Sequence, residues 1–308
     1  MKRTLLISVN AIGDAYLTAS AISAIQEYFN NRDSEIHFAC SDKAEFLVKD
    51  LGVSKIFTIG SKNIFSVMNL LLNLREYEYD IVLCPFPGRI NSFLYSLCKG
   101  IKKAGFINFK KTLSWDDKAA LLNVNNSETD HEWRPGENFL KRVELCLVGV
   151  GIRSEKKLIK LQFPKLEEMN SKENSYALLH FNSRIPQKNI APEFVEFVIY
   201  KLTLHGLNIK LLDAPEFFTK ESKNVEYLKT ASLGQLVNLI KFSNFFLGVD
   251  SFPMHLADAY NKKIIGFFKL SNPLSVLSDQ VDKFPIDMNQ DKPKILQDIE
   301  SIINTQFI

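Results

Sequence analysis

Metal-binding and redox signatures are missing from this chain. Its four cysteines, Cys40, Cys84, Cys98 and Cys146, stand far apart, with no Cys-x-x-Cys pair and no histidine at ligand spacing. That pattern excludes a zinc module and a disulfide framework, and it suits a reducing cytoplasm. No Asp-x-Asp triplet occurs, so a metal-bridged diphosphate site is not expected. The Gly-x-Gly-x-x-Gly fingerprint is also absent, which disfavours a dinucleotide-dependent dehydrogenase. No apolar run approaches the roughly 20 residues that cross a bilayer. The short run behind Lys2-Arg3 breaks at Asn10 and Gly13-Asp14 without a small-residue cleavage site, and it is read as a first strand rather than a signal peptide. Membrane contact is therefore expected to be peripheral. Neither sign of charge dominates: 38 Lys and Arg stand against 35 Asp and Glu, a balance that gives no reason to expect nucleic acid.

What is present is an ordinary globular composition. The chain has 308 residues, 46% of them hydrophobic and 24% charged, which suits two domains with cores of their own and excludes disordered or coiled-coil designs. Short β-branched runs alternate with helical patterns. The spacing predicts strands at Thr4–Val9, Glu35–Ala39, Lys55–Ile59 and Asp80–Leu83, separated by helices at Ala15–Phe29, Lys43–Leu51, Ile64–Leu74 and Ile90–Lys99. Phe106–Asn126 is read as irregular, and a helix is expected from Pro135 to Leu147. Residues 151–175, rich in Lys, Glu, Ser and Asn, are read as a linker between a domain at 1–150 and another at 176–308. The alternation then restarts with strands at Tyr176–His180, Asn208–Leu212, Asn244–Val249 and Lys263–Phe267, and helices at Pro192–His205, Leu233–Phe242, Pro253–Tyr260 and Pro293–Asn304. Repeated βαβ units of this kind predict an α/β protein made of two doubly wound parallel sheets.

The most informative stretch is 243–260, where an apolar strand ends at Asp250-Ser251 and opens a helix with His255 in its first turn. The leading N–H groups of a helix lack intrahelical acceptors and sit at the positive end of the macrodipole, so such a corner suits a phosphate. Taken alone, the same residues could be an N-cap and a core histidine. Together with the Leu233-Gly234-Gln235-Leu236 helix and the strand at Lys263–Phe268, however, the stretch resembles glycosyltransferase family 9, typified by the ADP-heptose:lipopolysaccharide heptosyltransferases. That family reads Asp-Ser/Thr-Gly-x-x-His-Leu between two strands. Here Phe252 takes the place of its Gly, and Lys269 and Leu270 replace the Gly and Pro of the following turn.

The resemblance implies a GT-B fold, in which two Rossmann-like domains face each other, and an inverting, metal-independent transfer of a sugar, heptose by resemblance. The donor would be a nucleotide diphosphate sugar such as ADP-heptose, a substrate rather than a cofactor, and the acceptor a lipopolysaccharide core or related glycolipid at the cytoplasmic face of the inner membrane. Gly13-Asp14, between the first strand and first helix, matches the family's opening motif and implies Asp14 as the base that deprotonates the acceptor hydroxyl. The plainer alternative makes Gly13 a tight turn and Asp14 an N-cap. The loop after Tyr176–His180 matches in Ser183 and Lys188, which would bind the donor diphosphate, with Lys188 also stabilising the leaving group. Asp250, Ser251, Phe252 and His255 complete the implied donor site. Arg89, Lys102 and Lys103, in a basic run with Lys99, Lys110 and Lys111, lie where the family faces its acceptor, although such runs are commonly solvated. His131-Glu132-Trp133 is similar to the start of the family's last helix in the first domain. A nucleotide-sugar epimerase of the same fold and a non-catalytic nucleotide- or glycan-binding relative are the competing readings.

Overall fold

In the computed structural model the chain divides into two compact units, Met1–Leu161 and Gln162–Ile308. The structure describes residues 2–30, 34–107, 120–123, 138–153, 158–163, 175–213, 224–229, 232–278 and 282–306, with the backbone alone for 107 and 120–123. The division falls inside the stretch 151–175. Each flank of it is held to its own unit: Tyr16 donates its hydroxyl hydrogen to the Leu161 carbonyl at 2.6 Å, and Tyr260 donates to the Phe163 carbonyl at 2.7 Å.

The first unit runs β1 (Lys2–Ser8), α1 (Ile12–Ala19), α2 (Ala21–Tyr28), β2 (Ser34–Ser41), a 3₁₀ turn (Asp42–Leu47), β3 (Lys55–Ile59), α3 (Ile64–Arg75), β4 (Tyr79–Cys84), α4 (Arg89–Leu97), β5 (Gly100–Ile107), β6 (Ala120–Asn123) and α5 (Phe139–Gly149). Its sheet has the order β3-β2-β1-β4-β5-β6. All pairings are parallel except β5 with β6, an antiparallel edge where an irregular segment was expected. Leu5, Ile7 and Val9 alternate along β1 toward one face, where Val67, Leu70, Leu71 and Leu74 of α3 and Leu94 and Tyr95 of α4 complete a core. Helices α1, α2 and α5 pack against one another. The expected single helix over Ala15–Phe29 is two. Ser20 N bonds the Leu17 carbonyl, three residues back, and its hydroxyl takes the same oxygen, so the α-helical ladder stops there. All four cysteines are buried and free, and all lie in this unit.

The second unit runs β7 (Tyr176–His180), a 3₁₀ turn (Pro186–Lys188), α6 (Pro192–Leu204), β8 (Asn208–Leu212), β9 (Val225–Leu228), α7 (Leu233–Phe242), β10 (Phe245–Val249), α8 (Phe252–Ala259), β11 (Lys263–Phe268), α9 (Pro273–Val276), β12 (Lys283–Asp287) and α10 (Lys292–Gln306). Its six strands follow the order β12-β11-β10-β7-β8-β9, all parallel. Alternate residues of β7, β8, β10 and β11 meet α6 and α10 on one face; Ile295, Ile299 and Ile303, four apart, form the buried stripe of α10.

Each sheet changes winding direction once. In the first unit the change falls between β1 and β4, in the second between β7 and β10. At such a point the loops leaving neighbouring strands diverge to opposite faces and leave a crevice beyond the strands' carboxyl ends.

Candidate functional site

At the second unit's switch point the strands come unusually close. A Cβ on Gly248 would sit 2.3 Å from the His180 carbonyl oxygen, so β10 can lie this near β7 only with glycine there. Asp250, two residues on, is 6% exposed. Its Oδ2 accepts from the Lys188 ammonium and the Ser271 hydroxyl, while His255 Nε2 lies 3.8 Å from Oδ1. Burial by itself would push the Asp250 carboxyl up; the Lys188 charge, His255 and the two hydrogen bonds outweigh it and hold the group below its ordinary value. The buried carboxylate is therefore ionised and fixes an ammonium at the head of the α8 corner.

Ser251 occupies the N-cap position of α8 without capping it. Its hydroxyl instead meets His180 Nδ1 at 3.1 Å, and Pro253 at the second helical position has no N–H to give. Ser251 itself makes no capping bond, and the positive end of α8 lies beside the Lys188–Asp250 pair. Burial lowers His180 to a pKa of about 4, against a smaller opposing effect of Asp213, so its imidazole is neutral at neutral pH. The loop after β7 is internally braced. Ser183 N donates to Asn189 Oδ1 at 2.7 Å, and Ser183 Oγ accepts from Ile185 N at 3.2 Å. That brace carries the chain into the 3₁₀ turn that ends on Lys188.

The structure thus gathers Lys188, Asp250, Ser251, Phe252 and His255 at one corner and gives Ser183 a bracing role in the adjoining loop. Two members, His180 and Ser271, were missed from sequence. A histidine ending the otherwise apolar run Tyr176-Ala177-Leu178-Leu179 was a usable signal for the first. Ser271 carried none, since its partner lies 21 positions away.

In the first unit the loops after β1 and β4 are tied across the switch point. Val9 N donates to Asn91 Oδ1 at 2.9 Å, Asn10 Nδ2 to the Pro87 carbonyl at 3.3 Å, and Lys62 Nζ to the Asn10 carbonyl at 2.9 Å. Asp14 is the third residue of α1, whose N-cap is Ala11, so it is not the cap that the plainer alternative supposed; it is half-buried in the first turn. A carboxylate there is favoured by the macrodipole. Arg89, exposed, opens α4 on the neighbouring loop.

Lys102 and Lys103 stand apart from this edge. Both lie early in β5, opposite Ile81 and Val82, whereas Arg89 follows the far end of β4. Buried Lys103 donates to the carbonyls of Tyr95, Ser96 and Cys98, at the end of α4. Lys102, pointing the other way, donates to the Val150 carbonyl at the end of α5 at 3.3 Å. Each cation answers the negative end of a helix. Lys110, Lys111 and His131-Glu132-Trp133 lie outside the described residues.

Two doubly wound units with the polar residues collected at switch points define the class: an α/β protein of the GT-B type. Within that class, the model of glycosyltransferase family 9 (heptosyltransferase) matches residues 67–290, and the chain belongs to this family; it is a glycosyltransferase. The match contains Lys188, Asp250 and His255 and begins beyond Asp14. Lipopolysaccharide heptosyltransferase 1 of Campylobacter coli is 24% identical over 292 residues, covering 85% of this chain and 82% of that protein. Among solved structures, E. coli heptosyltransferase WaaC with ADP-2-deoxy-2-fluoro heptose superposes with a TM-score of 0.71 at 15% identity, covering 98% of this chain and 99% of the other. The UDP-GlcNAc 2-epimerase of Methanocaldococcus jannaschii, in complex with UDP-GlcNAc and UDP, shares the fold at a TM-score of 0.57 and 14% identity, over 100% and 94% of the chains.

Proposed function

We propose that this glycosyltransferase is an inverting, metal-independent heptosyltransferase that moves heptose from ADP-heptose to a lipopolysaccharide core or related cell-envelope glycolipid. The observation that carries the reading is the Lys188–Asp250 pair at the start of α8. It combines a fixed cation with a helix N-terminus, the two features that bind a diphosphate and stabilise its departing charge without a metal. The Campylobacter coli relative and the WaaC complex supply the donor and acceptor class.

In the proposed reaction the acceptor hydroxyl gives its proton to the Asp14 carboxylate, and its oxygen bonds to the anomeric carbon from the side opposite the diphosphate. The anomeric C–O bond breaks, its electron pair leaves with the diphosphate, and configuration inverts. Lys188 keeps Asp250 as one partner while its remaining N–H donors take the leaving oxygens. Asp250, His255 and Ser271 are positioning residues for that ammonium, and Arg89 meets an anionic group of the acceptor. Ser251 and Phe252 line the start of α8, and Ser183 shapes the loop.

Asp14→Asn tests the reading. Asparagine keeps the size of the side chain but cannot take the proton, so turnover with both substrates saturating should fall roughly 10²–10⁴-fold while ADP affinity holds. Turnover close to that of the unsubstituted enzyme would remove Asp14 as the base. Release of ADP only when acceptor is present separates this reading from an epimerase, which would turn over donor alone.

A further inference from the structure

Asp258 is a carboxylate placed where a carboxylate is unfavourable on two counts. It stands in the last turn of α8, at the negative end of the helix macrodipole, and only 2% of it is exposed. Ser278 meets it with both of its donors: the backbone N–H is shared between Oδ2 at 3.1 Å and Oδ1 at 3.2 Å, and the hydroxyl donates to Oδ1 at 2.8 Å. The Lys283 ammonium, on a largely buried side chain, lies 3.4 Å from the same Oδ1 and donates to the Lys262 carbonyl at 2.6 Å. These contacts offset the cost of the site, and they fasten the chain at Ser278 to the foot of α8.

The other end of the same stretch is fastened at the donor corner. Ser271 donates its hydroxyl hydrogen to Asp250 Oδ2, the oxygen that also takes the Lys188 ammonium. Segment 271–278 is therefore a strap that runs from one carboxylate at the head of α8 to another at its foot. Between the two lies α9, a single helical turn. One turn does not hold itself, because nucleation fixes several dihedrals for little hydrogen bonding. Val276 and Leu277 are buried, while Leu274 is 62% exposed, so one side of the strap is bare and its position depends on where its ends are tied. Asp258 ties the far end. Ser271, at the near end, helps to set the direction of Asp250 Oδ2, and Oδ2 sets the place of Lys188.

We propose that Asp258 is a positioning residue for the donor site: through the strap 271–278 it holds Ser271 on Asp250 and thereby fixes the ammonium of Lys188 that meets the diphosphate. This role presupposes the donor reading of the Lys188–Asp250 pair, so one of its two measurements is made without nucleotide. Asp258→Ala is combined with Lys283→Met, which leaves no buried ammonium without its counterion. In amide hydrogen exchange of the ligand-free full chain, the double variant should exchange faster across 271–278 and also across 183–189, the braced loop that carries Lys188. Acceleration confined to 271–278 would make Asp258 a local anchor and overturn the proposal. In calorimetry ADP should bind the double variant about 3- to 10-fold more weakly, the scale of one lost hydrogen bond. In a Ser271→Ala background, where the strap is already cut from Asp250, the same change should cost less than about twofold. Equal losses in the two backgrounds would also overturn it. Ser278→Ala strands no charge and should move both readouts in the same direction by a smaller amount, so the question stays open to measurement if the double variant misfolds; no movement of either readout in Ser278→Ala would again overturn the proposal. An unsubstituted protein that leaves ADP unbound would sink the donor reading alone, and the exchange pattern would still decide the role of Asp258.

Discussion

Asp250 stays ionised in a nearly closed environment because Lys188, His255 and Ser271 together outweigh its desolvation. Removing the ammonium therefore acts twice. Lys188→Ala should weaken ADP binding about 10- to 100-fold, on the scale of 1.5–3 kcal/mol for a charge-assisted hydrogen bond. It should also lower stability, since a buried carboxylate loses its main counterion. Adding Asp250→Asn separates the effects: chemical denaturation of the double variant should recover most of the stability, while calorimetry still finds weak ADP binding. Recovery of both would make the pair merely structural. Lys188 and Asp250 were each legible from sequence as family-matched residues, but their pairing across 62 positions was not, because it depends on which strands of the sheet are neighbours. For Lys102 and Lys103 the sequence hid the converse: consecutive strand residues point to opposite faces, so what looks like one basic cluster meets two separate helix ends.

Among the elements, the strands with apolar runs between clear helical patterns were legible, and those that are short or broken by charge or proline were not. β7, β8, α7 and β3 have the predicted bounds; β7, buried along its whole length, shows why most plainly, since a strand covered on both faces is a continuous apolar run. β5, β6, β9 and β12 were missed; β5, inside its sheet, has its apolar run broken by Lys102 and Lys103. β9 is the four-residue segment Val225–Leu228 with no buried residue, and β12 carries Pro285, which edges tolerate and pattern reading discounts. The 3₁₀ turn at Asp42–Leu47 replaces an expected helix and ends earlier. Backbone passes closest to backbone, among the described glycines, at Gly248, where β10 runs beside β7. Gly248→Ala should force the two strands apart at the switch point. A loss of about 2 kcal/mol or more in urea unfolding is expected, with weaker ADP binding, because Asp250 and Ser251 follow directly. Unchanged stability would mean that the strands have freedom to move that this packing denies them.

Across the whole molecule, each unit encloses a neutral histidine. Burial lowers His37 to a pKa of about 4, helped by Arg3 and Lys55 and opposed by Glu35, and His180 likewise falls to about 4. Unfolded, both would titrate near 6.5. As pH falls below about 6.5 the unfolded chain takes up protons that the folded one refuses, so stability present above that pH is lost progressively toward pH 4, roughly 3 kcal/mol for each histidine. The thermal midpoint should therefore drop between about pH 6.5 and 4.5. His37→Phe, which keeps a ring against Tyr77 and Tyr79, should flatten part of that drop; an identical pH profile would exclude His37 as a source. The four buried thiols have a different use. Burial raises every one of them, Cys40 to about 12 and Cys98 to about 11, so little nucleophilic thiolate exists in the folded state. Alkylation by iodoacetamide then waits on opening of the first unit, while the second, lacking cysteine, is silent to the reagent. The native chain carries a built-in clock for the opening of one half of itself, readable by mass spectrometry without any introduced label.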